Sequence, residues 1–211
     1  MTDYPSIVEA EKILQNCIDF RERLATSPNY IPHCRMVSEF ARKIAVFAGM
    51  DGDKAYVLGL LHDCGKRKKE QTDNIFHGQE GYDFLMSLGY PKAAQICMTH
   101  TFPDKNFNVE EVGYPAQWMI KAKEILNGLE YDDYDRLIQL CDKMSAGASA
   151  VTVEERALAI KEFYAKEGSD TYNVTDERYK ALLKEGQELK AYFDKLCGRD
   201  VYEIIGLKKP E

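Results

Sequence analysis

Four histidines and two aspartates are the residues of this chain whose types and spacing could do chemistry. Each histidine falls on the apolar side of its own predicted helix, because residues three, four or seven positions apart share a helix face. His33, for example, shares a face with Val37, Phe40 and Ile44. A single inward histidine is ordinarily a hydrogen-bonded core residue, but four of them would leave several buried polar groups to satisfy. The candidate residues are His33, His62, Asp63, His77, His100 and Asp142.

A bound divalent metal would satisfy such a group of side chains most simply. The donors are nitrogen and oxygen with no thiolate, which suits iron, manganese, zinc, nickel or cobalt in a reactive site better than a structural zinc. Counting ligands, one ion could be held by His33, His62, Asp63 and Asp142. A second ion could be held by His77 and His100, with Asp63 as a bridge. His62 and Asp63 point about 100° apart on a helix, so either they share an ion where the helix ends, or Asp63 also reaches towards a second ion. Gly65 is expected to end the helix.

The periodicity of apolar residues predicts an all-α fold. The predicted helices cover about 6–24, 32–49, 53–65, 76–89, 91–100, 116–126 and 131–150. Two amphipathic helices follow; the first opens with a capping box at Thr152 and Glu155, and the second ends at Gly198. Ser6 and Glu9 form a similar box at the start of the first helix.

Residues 101–116 are predicted to form a loop or lid. Such a lid could cover the site and stack on a base, or it could be an ordinary packed loop. The side chains concerned are Phe102, Pro103, Asp104, Lys105, Phe107, Tyr114 and Trp118.

The composition excludes several classes of function. There are 28 basic and 35 acidic residues, a net charge of −7, so a cationic surface that wraps duplex nucleic acid is not expected. The sequence has neither a spanning apolar stretch of about 18 residues nor a signal-peptide pattern, so we expect a cytoplasmic protein without a membrane partner. The six cysteines include no Cys-x-x-Cys pair and are expected to be free thiols.

The six candidate ligands, with Leu60-Leu61-His62-Asp63-Cys64-Gly65-Lys66 around the His-Asp pair, closely resemble the HD superfamily of metal-dependent phosphohydrolases. The paired His-Asp alone would be a weak signal, but the preceding histidine, the two later ones and Asp142-Lys143 all occur in the family's order. His77-Gly78, Gly81 and the segment from Ile96 to Thr101 resemble the two-metal bacterial branch that includes symmetrical diadenosine tetraphosphate hydrolases.

The resemblance implies a helical bundle around a metal site, with the HD domain at 30–150. Residues 1–29 are then an N-terminal helix packed on the core, and residues 151–211 a C-terminal helical extension of the same domain. The extension is expected to pack against the core or against a second subunit, since its spare apolar stripe would suit a homodimer contact.

The resemblance also assigns roles to individual residues. It implies metal ligation by His33, His62, Asp63, His77, His100 and Asp142. Asp63 is then catalytic as the bridging ligand, and Lys66 matches the lysine that often follows the motif, which gives it a catalytic and substrate-binding role. Arg67 and Lys143 are further candidates for substrate binding, although cations after a helix C-terminus, such as those of the run Lys66 to Lys69, also complement its dipole.

The predicted reaction is hydrolysis of a phosphate ester or anhydride in a nucleotide or another small phosphorylated metabolite, by attack of a metal-bound hydroxide at phosphorus. One or two divalent metals are expected, with iron first and manganese, nickel, cobalt, zinc or magnesium as alternatives. Two other hypotheses stay open. One is a di-iron oxygenase of the HD type that cleaves a C–C or C–P bond, and the other is a regulatory module that binds nucleotides without turnover.

Overall fold

A computed structural model describes residues 2–22, 29–67, 76–109, 115–166 and 175–207, and most of these residues are helical. This confirms the predicted all-α class. The elements in chain order are α1 (Ile7–Glu22), α2 (Tyr30–Phe47), α3 (Gly52–Leu61), a 3-10 turn (Cys64–Arg67), α4 (His77–Ser87), α5 (Pro91–Thr99), α6 (Ala116–Asn127), α7 (Asp133–Lys143), β1 (Ser145–Ala146), β2 (Ser149–Ala150), α8 (Val153–Lys166), α9 (Asp176–Cys197) and α10 (Val201–Ile205).

Both predicted capping boxes form and fix where helices begin. The backbone N–H of Ser6 donates to the Glu9 carboxylate at 2.9 Å, and the Glu9 N–H donates back to the Ser6 hydroxyl at 3.3 Å. Thr152 and Glu155 make the same exchange at 2.7 and 3.1 Å. Each box satisfies N–H groups that the first helical turn leaves without partners, so α1 and α8 begin where the sequence predicts.

Helix α2 lies at the centre of the core. It packs against α3 and α7, and α4 packs against α5 beside them. Most of the predicted apolar stripe of α2 is buried, including Val37, Phe40 and Ile44, but Phe47 at its end is 49% exposed. The last turn of α2 therefore extends beyond the core. All six cysteines are free thiols, as predicted.

The predicted helix over 131–150 is wrong in its second half. Helix α7 ends at Lys143, and β1 then pairs antiparallel with β2 in a short hairpin. Gly147 at the turn has a φ of 59°, which the tight turn requires and a right-handed helix excludes. Gly198 ends α9 as predicted, with a φ of 63°, but α10 after it was not predicted.

Gly65 does not end α3, contrary to the prediction. Helix α3 ends at Leu61, with His62 as its C-cap, and Gly65 lies in the 3-10 turn that follows. A Cβ atom on Gly65 would lie 1.8 Å from the carbonyl oxygen of His77. The missing side chain thus allows the start of α4 to touch this turn, which brings His77 close to Asp63.

Residues 101–109, the described part of the segment after His100, pack as a loop against an apolar cluster, and a lid formed with residues 110–114, which lie outside the described ranges, stays a prediction. Phe102 is 2% exposed, stacks on Phe107 with ring centroids 4.4 Å apart and lies 5.6 Å from the ring of Phe76. Trp118 packs against the same apolar cluster, and the amine of Lys105 donates to the carbonyl of Leu129. Tyr114, also predicted for this lid, lies outside the described residues.

Within the described ranges, no helix has both the length and the apolarity that a membrane span needs. The predicted end of the first helix near Leu24 falls outside these ranges.

Candidate metal centre

The candidate ligands all come from the ends of helices. His33 lies in the first turn of α2, His62 is the C-cap of α3, His77 begins α4, and His100 is the C-cap of α5. Asp63 follows α3 directly and Asp142 lies in the last turn of α7. Because these helix ends meet, residues up to 109 positions apart in the sequence share one site.

Two groups of potential ligands form around Asp63. The first group contains His33, His62 and Asp63, and the second contains Asp63, His77 and His100; within each, the donor atoms lie within 4.8 Å of one another. Less than one-tenth of the surface of each of these residues is exposed. The inward direction predicted for all four histidines is therefore confirmed.

The first group also includes Asp142. Nε2 of His33 lies 3.0 Å from Oδ1 of Asp142 and 3.8 Å from Oδ2 of Asp63. Nε2 of His62 lies 3.5 Å from Oδ2 of Asp63 and 3.9 Å from Oδ1 of Asp142. Two imidazole nitrogens and two carboxylates thus converge on one point, as the ligand count predicted.

The second group lies on the other oxygen of Asp63. Nε2 of His77 is 3.7 Å and Nε2 of His100 is 3.5 Å from Oδ1 of Asp63, and the two ring nitrogens are 3.4 Å apart. Asp63 therefore directs one oxygen towards each group, which is the orientation that a bridging carboxylate requires.

Two atoms in this cluster test whether the residues fit a metal. Nε2 of His62 and Oδ1 of Asp63 are buried and have no hydrogen-bond partner among the described residues. Buried polar atoms almost always have a partner, since leaving one unpaired costs roughly 1–3 kcal/mol. An ion in the first group would provide the missing partner of Nε2 of His62, and an ion in the second group that of Oδ1 of Asp63, so the donor set fits a metal.

Hydrogen bonds to backbone carbonyls orient two of the imidazole rings. Nδ1 of His62 donates to the carbonyl of Gly59 at 2.7 Å, and Nδ1 of His100 donates to the carbonyl of Ile96 at 3.1 Å. These bonds leave Nε2 of each ring with its lone pair towards the site. Metal-binding histidines are commonly held in this way.

The electrostatics of the cluster also favour metal binding. Burial lowers the pKa of His62 to about 3, so this ring is neutral near pH 7 and can bind a metal. Burial alone would raise the pKa of Asp63, but Lys66 and His62 hold it well below its usual value. The pKa of Asp142 is likewise low, because His33, His62 and Arg156 outweigh the effect of burial.

The predicted substrate-binding cations have different surroundings. Nζ of Lys66 donates to Oδ2 of Asp63 at 2.5 Å and its side chain is 40% exposed, so it lies at the edge of the first group. Lys143 is mostly buried, and its amine is 3.7 Å from Glu185 of α9. Lys68 and Lys69 lie outside the described residues.

Arg67 makes structural contacts. Its guanidinium pairs with the buried Glu80 at 2.8 Å and lies over the ring of Phe84, 3.9 Å from the ring centroid. The guanidinium is thus paired with a carboxylate and packed on an aromatic ring, and the substrate-binding role of Arg67 stays a prediction.

A buried polar network next to the cluster was missed by the sequence analysis. Asp135 of α7, which is fully buried, accepts hydrogen bonds from Lys92 at 2.7 Å and from Thr99 at 2.6 Å. Gln139 of α7 donates to the carbonyl of Thr99, next to His100, at 2.8 Å. The network joins α5 to α7 and so fixes His100 relative to Asp142. Its members look like surface residues in the sequence, and no local pattern marks them as buried.

A cavity of about 160 Å³ opens beside the first group. It is lined by Asn29, Tyr30, His33, Asp63, Lys66, Gly147 and Arg156. Arg156 was also missed, because it lies on α8, far from the motif in sequence and within a helix whose charged face is typical of solvated surface.

Comparison with protein families explains this arrangement. The model of the HD domain matches residues 30–147, more than half of the chain. This chain belongs to the HD domain family. The HD match includes all six candidate ligands and Lys66, and together with the buried His/Asp groups it makes the protein an HD-type metal-dependent phosphohydrolase. Searches of curated proteins and of solved structures find no significant match for this HD protein.

Proposed function

We propose that this HD protein hydrolyses a phosphate ester or anhydride in a nucleotide or another small phosphorylated metabolite, and that it uses two metal ions. The observation that carries the proposal is the position of Asp63 between two groups of imidazole ligands, next to a cavity lined by a lysine. The two-metal branch that includes symmetrical diadenosine tetraphosphate hydrolases has this ligand set, which supports the choice of two ions.

The residues of the site have two proposed roles, metal binding and substrate binding. Asp63 and the four histidines hold and orient the ions, and Asp142 completes the first group. Divalent ions held there would lower the pKa of a bound water towards 7 and polarise the phosphoryl group. Lys66 reaches the cavity from the edge of the same group, and its ammonium would neutralise a phosphoryl oxygen.

Iron is the metal that we propose for both ions. Manganese, nickel, cobalt, zinc and magnesium are alternatives, since each accepts nitrogen and oxygen ligands. The proposed partner is the small phosphorylated substrate. Duplex nucleic acid is not included because the net charge is −7. A homodimer contact through the partly exposed stripe of α9 and a cytoplasmic location stay predictions.

Metal analysis combined with a phosphate-release screen tests this function. Purified protein is loaded with each metal in turn and assayed on mononucleotides, cyclic nucleotides and dinucleoside polyphosphates. We expect two ions per chain and phosphate or nucleotide release from one of these classes. The Asp63→Ala protein, purified in the same way, shows whether a contaminating phosphatase contributes.

The same preparations separate the alternatives. Oxygen consumption by the ferrous protein, without phosphate release, would support the HD-type oxygenase. Tight nucleotide binding by the metal-loaded protein without turnover of any substrate would support the regulatory module. Either result would contradict the proposed hydrolase.

A further inference from the structure

Arg156 is unlike the other cations around the metal cluster. Lys66 pairs with Asp63, Arg67 pairs with Glu80, and the amine of Lys143 lies near Glu185. The guanidinium of Arg156 has neither a hydrogen bond nor an ion pair with any described residue, although it lines the cavity beside His33 and Asp63. An arginine carries five N–H donors, so this side chain presents an unused set of donors to the cavity.

We propose that Arg156 binds the non-bridging oxygens of the phosphoryl group that undergoes hydrolysis, together with Lys66, which lines the same cavity. The proposal rests on the proposed function, since it assigns a substrate-binding residue to that site. The planar guanidinium can donate two parallel hydrogen bonds to a phosphate, which an ammonium cannot do. Lys66 and Arg156 then place two positive charges around a group that carries up to two negative ones.

The surroundings of Arg156 agree with an anion site. Asp63 and Asp142 supply negative charge to this region, and two metal ions would more than compensate for it. The charge of Arg156 acts on Asp142, so the guanidinium is within electrostatic range of the first ligand group. A phosphoryl group in contact with the metals would therefore lie within reach of this arginine.

The size of the cavity indicates which part of the substrate enters. Its volume is about 160 Å³. Pockets for whole drug-sized ligands measure about 300–1,000 Å³. The cavity therefore accepts a phosphoryl group, and the rest of the substrate lies outside it.

Arg156 lies outside the segment that matches the HD domain, which ends at residue 147. The β1–β2 hairpin returns the chain towards the start of α2, where a Cβ on Gly147 would lie 3.2 Å from the side chain of Asn29. Helix α8 begins directly after this hairpin and carries Arg156 in its first turns. The C-terminal extension thus contributes to the substrate site in addition to packing against the core.

Binding of inorganic phosphate to the manganese-loaded protein tests the proposal without requiring turnover. Isothermal titration calorimetry is carried out on the wild type and on Arg156→Ala, Arg156→Lys and Arg199→Ala. We expect Arg156→Ala to weaken phosphate binding by about 10- to 100-fold, the effect typical of a lost charge-assisted hydrogen bond pair. Arg156→Lys should recover only part of the affinity, because it restores the charge without the two-pronged geometry.

Arg199 provides the matched control. It is an arginine of the same C-terminal region, it pairs with Glu203, and its side chain is 53% exposed. Arg199→Ala removes the same charge and should bind phosphate as the wild type does. Metal content should be two ions in all four proteins, since Arg156 is not a ligand.

Several results would overturn the proposal. These are unchanged phosphate affinity in Arg156→Ala, full recovery in Arg156→Lys, and the absence of phosphate binding by the wild type. If Arg156→Ala fails to fold, the phosphate affinity of Arg156→Lys tests the proposal. Weaker phosphate binding than in the wild type supports the role of Arg156, and unchanged binding contradicts it. If phosphate binding depends on Arg156 but no substrate releases phosphate, the proposed hydrolase function is contradicted and the phosphate site is supported.

Discussion

The two ligand groups on either side of Asp63 differ in their exposure to solvent. On the side of His33, the Asp142 side chain is 26% exposed, Lys66 reaches solvent, and a cavity opens between α2 and α8. On the other side, His77 and His100 are almost fully buried, and the ring of Phe76 lies 4.9 Å from that of His77. The same carboxylate thus faces an open group and a closed group.

This difference indicates separate roles for the two groups. The open group can exchange water and substrate, since its cavity contains both Lys66 and Arg156. His77 and His100 of the closed group are buried, and the ring of Phe76, which belongs to a small apolar core with Met98 and Phe102, lies against the ring of His77. We therefore expect the substrate to arrive at the open group and the closed group to hold its ion more rigidly.

The largest expected effect follows from removing the residue that both groups share. Asp63→Ala should lower activity by more than about 1,000-fold and remove most of the bound metal, because both ions lose a ligand. Activity assays with elemental analysis measure this. Asp53→Ala is the control, since Asp53 is an exposed carboxylate of α3, the helix that directly precedes Asp63. Full turnover by Asp63→Ala would disprove the two-metal assignment.

Substituting one histidine from each side separates the two groups. We expect His77→Ala and His33→Ala each to keep the fold, to lose one ion, and to lose more than about 100-fold in activity, since even groups that only orient ligands contribute 10–100-fold. Metal stoichiometry and circular dichroism measure these changes. If the ions differ as proposed, the ion retained in His33→Ala dissociates more slowly than the ion retained in His77→Ala. Two bound ions in His77→Ala would rule out the second group as a metal site.

The closed side also depends on the buried network around Asp135. Asp135→Ala removes the buried partner of Lys92, which keeps only the half-exposed Asp132, and leaves the buried Thr99 hydroxyl without its acceptor, so we expect a loss of about 3 kcal/mol in the free energy of unfolding. Urea denaturation measures this loss. Asp133→Ala, which removes a half-exposed pair with Arg136 and a hydrogen bond from Tyr192, should cost less, about 1–2 kcal/mol. Equal losses in the two variants would contradict the role of the network.

The smallest effect concerns the pH dependence of the metal-free protein. The pKa of His62 is about 3 in the folded state and close to 6.5 in the unfolded state. Below pH 6.5 the unfolded chain therefore takes up a proton that the folded protein does not, and the stability falls as the pH decreases. The slope is at most about 1.4 kcal/mol per pH unit, and the effect is absent above pH 7.

The difference between the wild type and His62→Gln isolates this contribution, because other groups titrate in both proteins. Unfolding free energies measured between pH 7 and pH 5 should converge as the pH falls. A constant difference over this range would show that folding does not change the pKa of His62.

Much of the metal site could be predicted from the sequence, because its signals are local. The inward direction of His33 or His100 follows from the periodicity of a single helix, and the capping boxes at Ser6 and Thr152 depend on residues three positions apart. The resemblance to the HD superfamily depended on the order of the candidate ligands along the chain. Gly65 shows the limit of such reasoning, since its role is a close approach of α4 and not the end of α3.

The sequence by itself determined the all-α class, the starts of α1 and α8, and the six residues that form the cluster, since helix periodicity and motif order can be read from neighbouring positions. The tertiary structure decided which oxygen of Asp63 faces which histidines, which side of the cluster is open, and which cations are already paired. Arg67 and Arg156 have the same side chain, but only contacts between distant segments pair Arg67 with Glu80 and leave Arg156 facing the cavity. Such contacts form between residues that are far apart in the chain, so no local pattern records them.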